Sequence, residues 1–504
     1  MAHFVKLDPA ALKQLRTVNP CMMSYNVEMT EVTGGTFWKA YTPAQIAGTE
    51  EFPPIAGFHE MAGLMQWYDP IDTTNPRLIK LAKAFGPVWV RVSGTWATKT
   101  YYDFEGLGHA PEGWQNRLTK EQWLRLLDFV DAVGGKLLIS VANCQGLHSA
   151  EEPWNPSQAE KIFALSKAHG HSIDAVEFTN EPNMMEMTGF PQGYTPAHFR
   201  RDQDLFHKWV RENYPETLVV GPCTTDANAL KMGPGSEDDA KGGAGIGDVM
   251  MSCTTGDLMD GCTEKVDVFS YHYYNGISER LASVMPAAHW QPSQATTEPY
   301  LAMAGNCARA FAPYRDKYCP GGEMWVTESG DAGGGGDTWA STYLDVLRTL
   351  NELGDFATVT DGVIFHNTLA SSDYGFLQHG TFEPRPNYFA VLLWNTLMGT
   401  TVYDTGVKTE EGKHVYAHSR KDGKEGVVYL VINNSTTDTT TVELPTDGVR
   451  YTLCGNGDLR SRVMYLNGQP LVLGENDQLP SLEGQAVPAG ALELGPCTCT
   501  FIVL

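Results

Sequence analysis

Between residues 21 and 398, short apolar runs with strand character alternate eight times with longer amphipathic runs of helical spacing. Few folds accept that order. A strand followed by a helix returns beside its predecessor as a parallel neighbour, and eight such units close into a (β/α)₈ barrel. The strand-like runs cover residues 21–29, 88–95, 136–144, 173–180, 218–222 and 266–274, then a run from Met324 that carries Glu328, then 361–368. The spacing predicts helices over 75–86, 119–133, 155–169, 195–214, 295–318, 337–353 and 387–398. The second of these carries its own signals: Thr119 with Gln122 three residues on is a capping box, and Gly134-Gly135 stops the helix.

The pattern changes after Gly399. Short alternating segments such as Val427 to Ile432, separated by turns such as Asn433-Asn434 and Asn467-Gly468, predict a β-sandwich over residues 400–504. Residues 21–399 form the expected barrel, and residues 1–20 are expected to lend the sandwich an edge strand. Two connections are long. Residues 30–74 are rich in aromatic side chains, and 226–265 are rich in Gly and Asp. Long loops are uncommon unless functional, and both leave from the C-terminal rim of the barrel.

The formal net charge of −24 excludes nucleic acid and anionic membrane surfaces as expected partners, since both require a basic footprint. No apolar stretch is long enough for a membrane-spanning helix, and residues 1–20 contain no apolar core of a signal peptide. A cytoplasmic chain is expected, or a secreted one from which a leader has been removed. The ten cysteines lack metal-ligand spacing, so reduced thiols are expected, with no metal and no cofactor.

Chemistry concentrates at two strand ends. Asn180-Glu181-Pro182-Asn183 follows the apolar run of strand four, and Pro182 forbids the strand from continuing. Thr327-Glu328-Ser329 ends strand seven, followed by Gly333 to Gly336. At the C-terminal rim of a barrel, two carboxylates suit glycoside hydrolysis: one protonates the leaving oxygen, the other attacks the anomeric carbon or activates water. Asn180 can donate to a sugar 2-hydroxyl. Tyr273, in the aromatic cluster Tyr271-His272-Tyr273-Tyr274 that ends strand six, is expected to donate to Glu328, with His272 in support. Arg91 is a charge inside a strand and must be paired, so a catalytic carboxylate is its expected partner.

These motifs resemble clan A retaining glycosidases, and in detail glycoside hydrolase family 79, the heparanase and β-glucuronidase family, over nearly the whole chain. The resemblance implies Glu181 as acid/base and Glu328 as nucleophile. It places Glu28, at the end of strand one, where the family has an acidic sugar-binding residue. Arg91-Val92-Ser93-Gly94-Thr95 matches the family's Arg-x-Gly-Gly-Thr with one Gly replaced by Ser, which marks Thr95 as a supporting residue. Gly334 and Gly335 match the triple glycine after the nucleophile. Tyr374, in Ser371-Ser372-Asp373-Tyr374-Gly375, matches the tyrosine that with backbone N–H groups receives a glucuronate carboxylate; Ser372 replaces a family glycine. The basic clusters with which heparanase reads a sulfated polymer have no counterpart here. The implied activity is therefore an exo-acting retaining β-glucuronidase, with a glucuronide or uronic-acid oligosaccharide as substrate. The alternatives are an endo-acting heparanase-like enzyme or a clan A enzyme for a neutral sugar. A non-catalytic carbohydrate-binding protein is the reading from another class.

Overall fold

The computed structural model describes residues 3–225 and 252–504, so most of the expected long connection over 226–265 lies outside the described residues. Eight parallel strands close a barrel in chain order. They are Met23–Glu28, Trp89–Ser93, Lys136–Ser140, Ala175–Glu177, Leu218–Thr225, Val268–Ile277, Met324–Gly333 and Ile364–His366, called strands one to eight below. The strongest sequence signals correspond to exact local structure. Thr119 Oγ1 accepts from Gln122 N, Gln122 Oε1 accepts in turn from Thr119 N, and the helix Lys120–Val133 ends at Gly134 in the left-handed conformation.

One helix begins later than its spacing implies. Residues 337–343 form turns, and the helix runs over Leu344–Val359. The Asp337 carboxylate accepts from the backbone N–H groups of Glu279 and Thr338, and this tie to the segment after strand six holds the chain out of helical register.

Period two along the strands builds the barrel interior in layers. Cys21, Trp89, Leu138, Ala175, Val220, Val268, Trp325, Val363 and Phe365 fill its lower end, with the Trp89 and Trp325 rings 4.9 Å apart. Two residues further along strands two and four, Arg91 and Glu177 turn the next layer polar. The helices cover the outside through a large apolar core.

Beyond the barrel, a nine-stranded sheet and a three-stranded sheet gather the C-terminal strands. His3–Lys6 pairs in parallel with Thr440–Leu444, and Lys13–Thr17 pairs antiparallel with Met398–Asp404, so the chain's start and end share both sheets. The Tyr343 hydroxyl donates to the carbonyls of Leu453 and Cys497, joining barrel to sheet. Among the described residues no disulfide joins any of the ten cysteines, and no helix is long and apolar enough to cross a membrane.

Candidate active site

A cavity of about 740 Å³, open mouth included, lies at the C-terminal end of the barrel. Glu28, Thr95, Glu181, Thr225 and Asn367 line it from the ends of strands one, two, four, five and eight, and Tyr274 and Glu328 from within strands six and seven; strand seven runs on to Gly333 rather than ending at Glu328. The loop after strand one folds back as a hairpin, Gly35–Trp38 against Met65–Tyr68, and brings Phe37, Trp38 and Met61 to the wall.

Glu328 is buried and held by three groups. Arg91 Nη1 donates to its Oε1 at 3.1 Å, the Tyr274 hydroxyl donates to its Oε2 at 2.7 Å, and His272 Nδ1 stands 3.6 Å from Oε2. Burial pushes this carboxyl upward, but the charges of His272 and Arg91 and the two hydrogen bonds outweigh it and hold Glu328 below the usual carboxylate range. Arg91 is wholly buried. It also donates to Glu177 Oε2 at 3.0 Å and to Asn180 Oδ1 at 2.8 Å, so one guanidinium orders three residues. Removing one partner of such a buried pair typically costs about 3–5 kcal/mol.

The donor to Glu328 is Tyr274, not Tyr273. Tyr273 turns the other way, bonds Asn275 and packs in the barrel–helix core near Arg348 and Glu352. Period two explains the correction: if His272 faces the barrel interior, Tyr274 does too and Tyr273 cannot.

Glu181 has fewer partners. His272 Nδ1 lies 3.0 Å from its Oε1, and its backbone φ of +44° is unusual for a residue with a side chain. Strained backbone of this kind clusters at functional sites. Atoms of Glu181, His272 and Glu328 lie within 4.8 Å of one another, as do those of Glu279, His289 and Asp337, so each trio has ligand-like spacing. In the first trio Arg91 already supplies the positive charge, and a divalent cation would have to sit against that guanidinium. His289 holds the second together, 3.1 Å from Glu279 Oε2 and 3.6 Å from Asp337 Oδ2.

Asn180 accepts from Arg91 and from Ser93 Oγ through Oδ1, which leaves its amide N–H₂ as the donor group. Glu28 packs against Gly94, whose φ is +95° and whose missing Cβ gives the carboxylate its room. Burial, then the nearby charges of Glu328 and Glu31, push Glu28 well above the usual range. Glu31, beside it, is pushed up to about 8 by burial despite accepting from the backbone N–H groups of Glu28 and Ala370.

The glycine run forms the opposite wall. Gly333 and Gly334 reach the cavity with Tyr374, while a Cβ at Gly335 would stand 2.5 Å from Ser372 Oγ and 2.8 Å from Trp38 Cβ. The carbonyls of the run are engaged from behind. Gly334 accepts from Ser278 and Arg280, Gly335 from Ser372 Oγ and Asp373 N, and Gly336 from Arg280 and Tyr41. Arg385 similarly donates to the carbonyls of Ser372, Asp373 and Gly375 around Tyr374. Asn367 Nδ2 donates to both Tyr274 and Tyr374 hydroxyls, at 2.9 and 3.1 Å.

The sequence reading missed Tyr274, Asn367, Glu31, Arg280 and Arg385. Only Tyr274 carried a local signal, through strand alternation; Asn367 is the residue after a three-residue strand, and the other three come together only through the fold.

No family model matches the chain. It is 25% identical to heparanase-like protein 1 of Arabidopsis thaliana over 86% of this chain and 85% of that one. It is 26% identical to a hyaluronoglucuronidase of Hirudo nipponia over 86% of this chain and 90% of the other. Among solved structures, a 4-O-α-L-rhamnosyl-β-D-glucuronidase from Fusarium oxysporum superposes with a TM-score of 0.66 at 12% identity, covering 99% of this chain and 100% of that one.

Proposed function

We propose that this chain, a heparanase-like glycoside hydrolase of family 79, is a retaining, exo-acting β-glucuronidase. One observation carries the reading: carboxylate oxygens of Glu181 and Glu328 lie within 4.8 Å of each other at the head of a pocket walled by Tyr374 and Gly334. Retaining enzymes hold their carboxyl groups about 5–5.5 Å apart, too close to admit an attacking water between carboxylate and sugar. Glu328, ionised and fixed by Arg91 and Tyr274, attacks the anomeric carbon while Glu181 gives its proton to the leaving oxygen. Water then enters, Glu181 takes its proton, and the glycosyl–Glu328 ester is cleaved with two inversions in total.

The Tyr374 hydroxyl accepts from Asn367, so its own proton remains for donation to a uronate carboxylate. The carbonyls of the glycine run are turned toward Arg280, Ser278, Ser372 and Tyr41, and we assign the N–H group of Gly334, which lines the cavity while Gly335 does not, to the same carboxylate. Among the described lining residues there is no Lys or Arg, so recognition of the anion rests on hydrogen bonds. The hairpin carrying Phe37 and Trp38 closes one wall and favours a terminal sugar over an internal one. The similarity to a hyaluronoglucuronidase over most of both chains keeps an endo-acting reading as the second choice.

The test is a panel of nitrophenyl β-glycosides with proton NMR of the first product, run on the native chain and on Tyr374→Phe. Native enzyme should prefer the glucuronide over the glucoside and release β-glucuronic acid first. Tyr374→Phe should lose about ten- to a hundredfold in kcat/KM on the glucuronide, the scale of a hydrogen bond to a charged group, with little change on the glucoside. Initial α-anomer, or equal losses on both sugars, would rule the reading out.

A further inference from the structure

The cavity lining mixes polar and apolar groups. Glu28, Glu328, Asn367, Tyr374, Gly333 and Gly334 offer it the polar groups that grip a sugar. The segment that follows Glu181 adds apolar lining, beside the hydroxyls of Thr95 and Thr225. The chain continues from Glu181 as Pro182-Asn183-Met184-Met185-Glu186-Met187, and a turn winds it back: Met184 N donates to the Glu181 carbonyl and Met187 N to the Met184 carbonyl, both at 2.9 Å. This places Met184 and Met187 on the cavity wall beside the catalytic acid, with Phe37 and Met61 contributed by the loop after strand one. The turn is held from outside by Thr98 Oγ1 on the Thr188 carbonyl and Lys99 Nζ on the Met187 carbonyl, at 2.9 and 3.0 Å. The wall is thus built before any ligand arrives.

Glu181 must reach the leaving oxygen, so the residues beside it meet the leaving group. Among the described lining residues the charged ones are Glu28, Glu181 and Glu328, all acidic. A sulfated or carboxylated leaving group would meet no cation among the described lining residues, and the net charge of −24 opposes a polyanion at long range. A sugar leaving group would meet thioethers and a phenyl ring, with only the Thr95 and Thr225 hydroxyls among the remaining described lining residues on that part to partner its own. Thioethers favour polarisable, flat partners and make good contacts with aromatic ring edges.

Resting on the glucuronidase reading, we propose that the Met61, Met184, Met187 and Phe37 wall is an aglycone site for flat aromatic alcohols or phenols, so that the substrates are aryl glucuronides rather than glucuronic-acid polymers. Leaving-group acidity would confound a simple comparison of phenols with sugars. The test therefore uses three alkyl-type leaving groups: benzyl β-D-glucuronide, methyl β-D-glucuronide and glucuronyl-β-1,3-N-acetylglucosamine. The benzyl compound should exceed both others in kcat/KM by about ten- to a hundredfold, mostly through KM. Met187→Gln should narrow the benzyl-to-methyl ratio several-fold, and Met187→Leu should keep it. A disaccharide cleaved as fast as the benzyl glucuronide, or a ratio that Met187→Gln does not move, overturns the proposal. If benzyl β-D-glucoside is cleaved as fast as benzyl β-D-glucuronide, the glucuronidase reading is what fails, and the benzyl-to-methyl ratio on glucosides then decides the aromatic wall by the same criterion.

Discussion

Strands one and seven place two buried carboxyl groups on one cavity, and their surroundings drive them in opposite directions. Glu28 meets burial plus the negative charges of Glu328 and Glu31, and its carboxyl is pushed well above the usual range. Glu328 meets comparable burial, yet Arg91, His272 and the Tyr274 hydroxyl hold it below that range. Burial alone therefore assigns no role. The donors do: a group kept ionised can attack, and a group kept protonated can donate to a sugar hydroxyl without repelling its neighbour.

The largest effect should come from removing the ionised member. Glu328→Gln keeps the shape and the Arg91 contact but cannot form a glycosyl ester, so turnover of any glycoside should fall by about 10⁴-fold or more. Initial rates on nitrophenyl β-D-glucuronide, with circular dichroism to verify folding, check this. Retention of a tenth of the activity would move the nucleophile elsewhere.

A smaller change sharpens the contrast through the donors. Tyr274→Phe removes one hydrogen bond to a charged oxygen, a loss of about 1.5–3 kcal/mol, so kcat/KM should fall about ten- to a hundredfold. With less to hold Glu328 down, the acid limb of the pH profile should move to higher pH. Tyr273→Phe, on the helix side of the same strand, should leave that limb in place. A shift in the second variant and none in the first would reverse the assignment of the two tyrosines.

The last expected effect is on stability rather than turnover, a slope with pH at strand one. Glu31 has a folded-state pKa of about 8 against an ordinary value of 4.5. Above 4.5 the unfolded chain loses this proton while the folded chain keeps it, so the side chain progressively disfavours folding as pH rises toward about 8, and the effect levels off beyond. Urea unfolding of the native chain and Glu31→Gln at several pH values should show the variant gaining in relative stability across that window. A difference that is flat with pH would mean that Glu31 is ionised in the folded protein.

Much of this was legible in the sequence, for reasons that are local. Alternation of strand and helix periods identified the barrel, because each element must bury one face and the chain order leaves little choice of partner. Glu181 and Glu328 stood out because each ends an apolar run, Pro182 halts one strand and glycines follow the other. What only the tertiary structure decided lies between elements. The expected start of the helix at Asp337 gave way to turns because Asp337 bonds the backbone of Glu279, 58 positions earlier in the chain. Arg91 ties Glu177 and Asn180 of the strand-four segment to Glu328 of strand seven, and Asn367 links Tyr274 to Tyr374, through positions 86, 89, 237, 93 and 7 residues apart. A shift in register between strands six and seven, at Tyr271 and His272, sets which side chains meet there. Periodicity states which way a residue faces on its own strand. Which residues then converge depends on the closure and stagger of eight strands, a global constraint that no window of sequence contains.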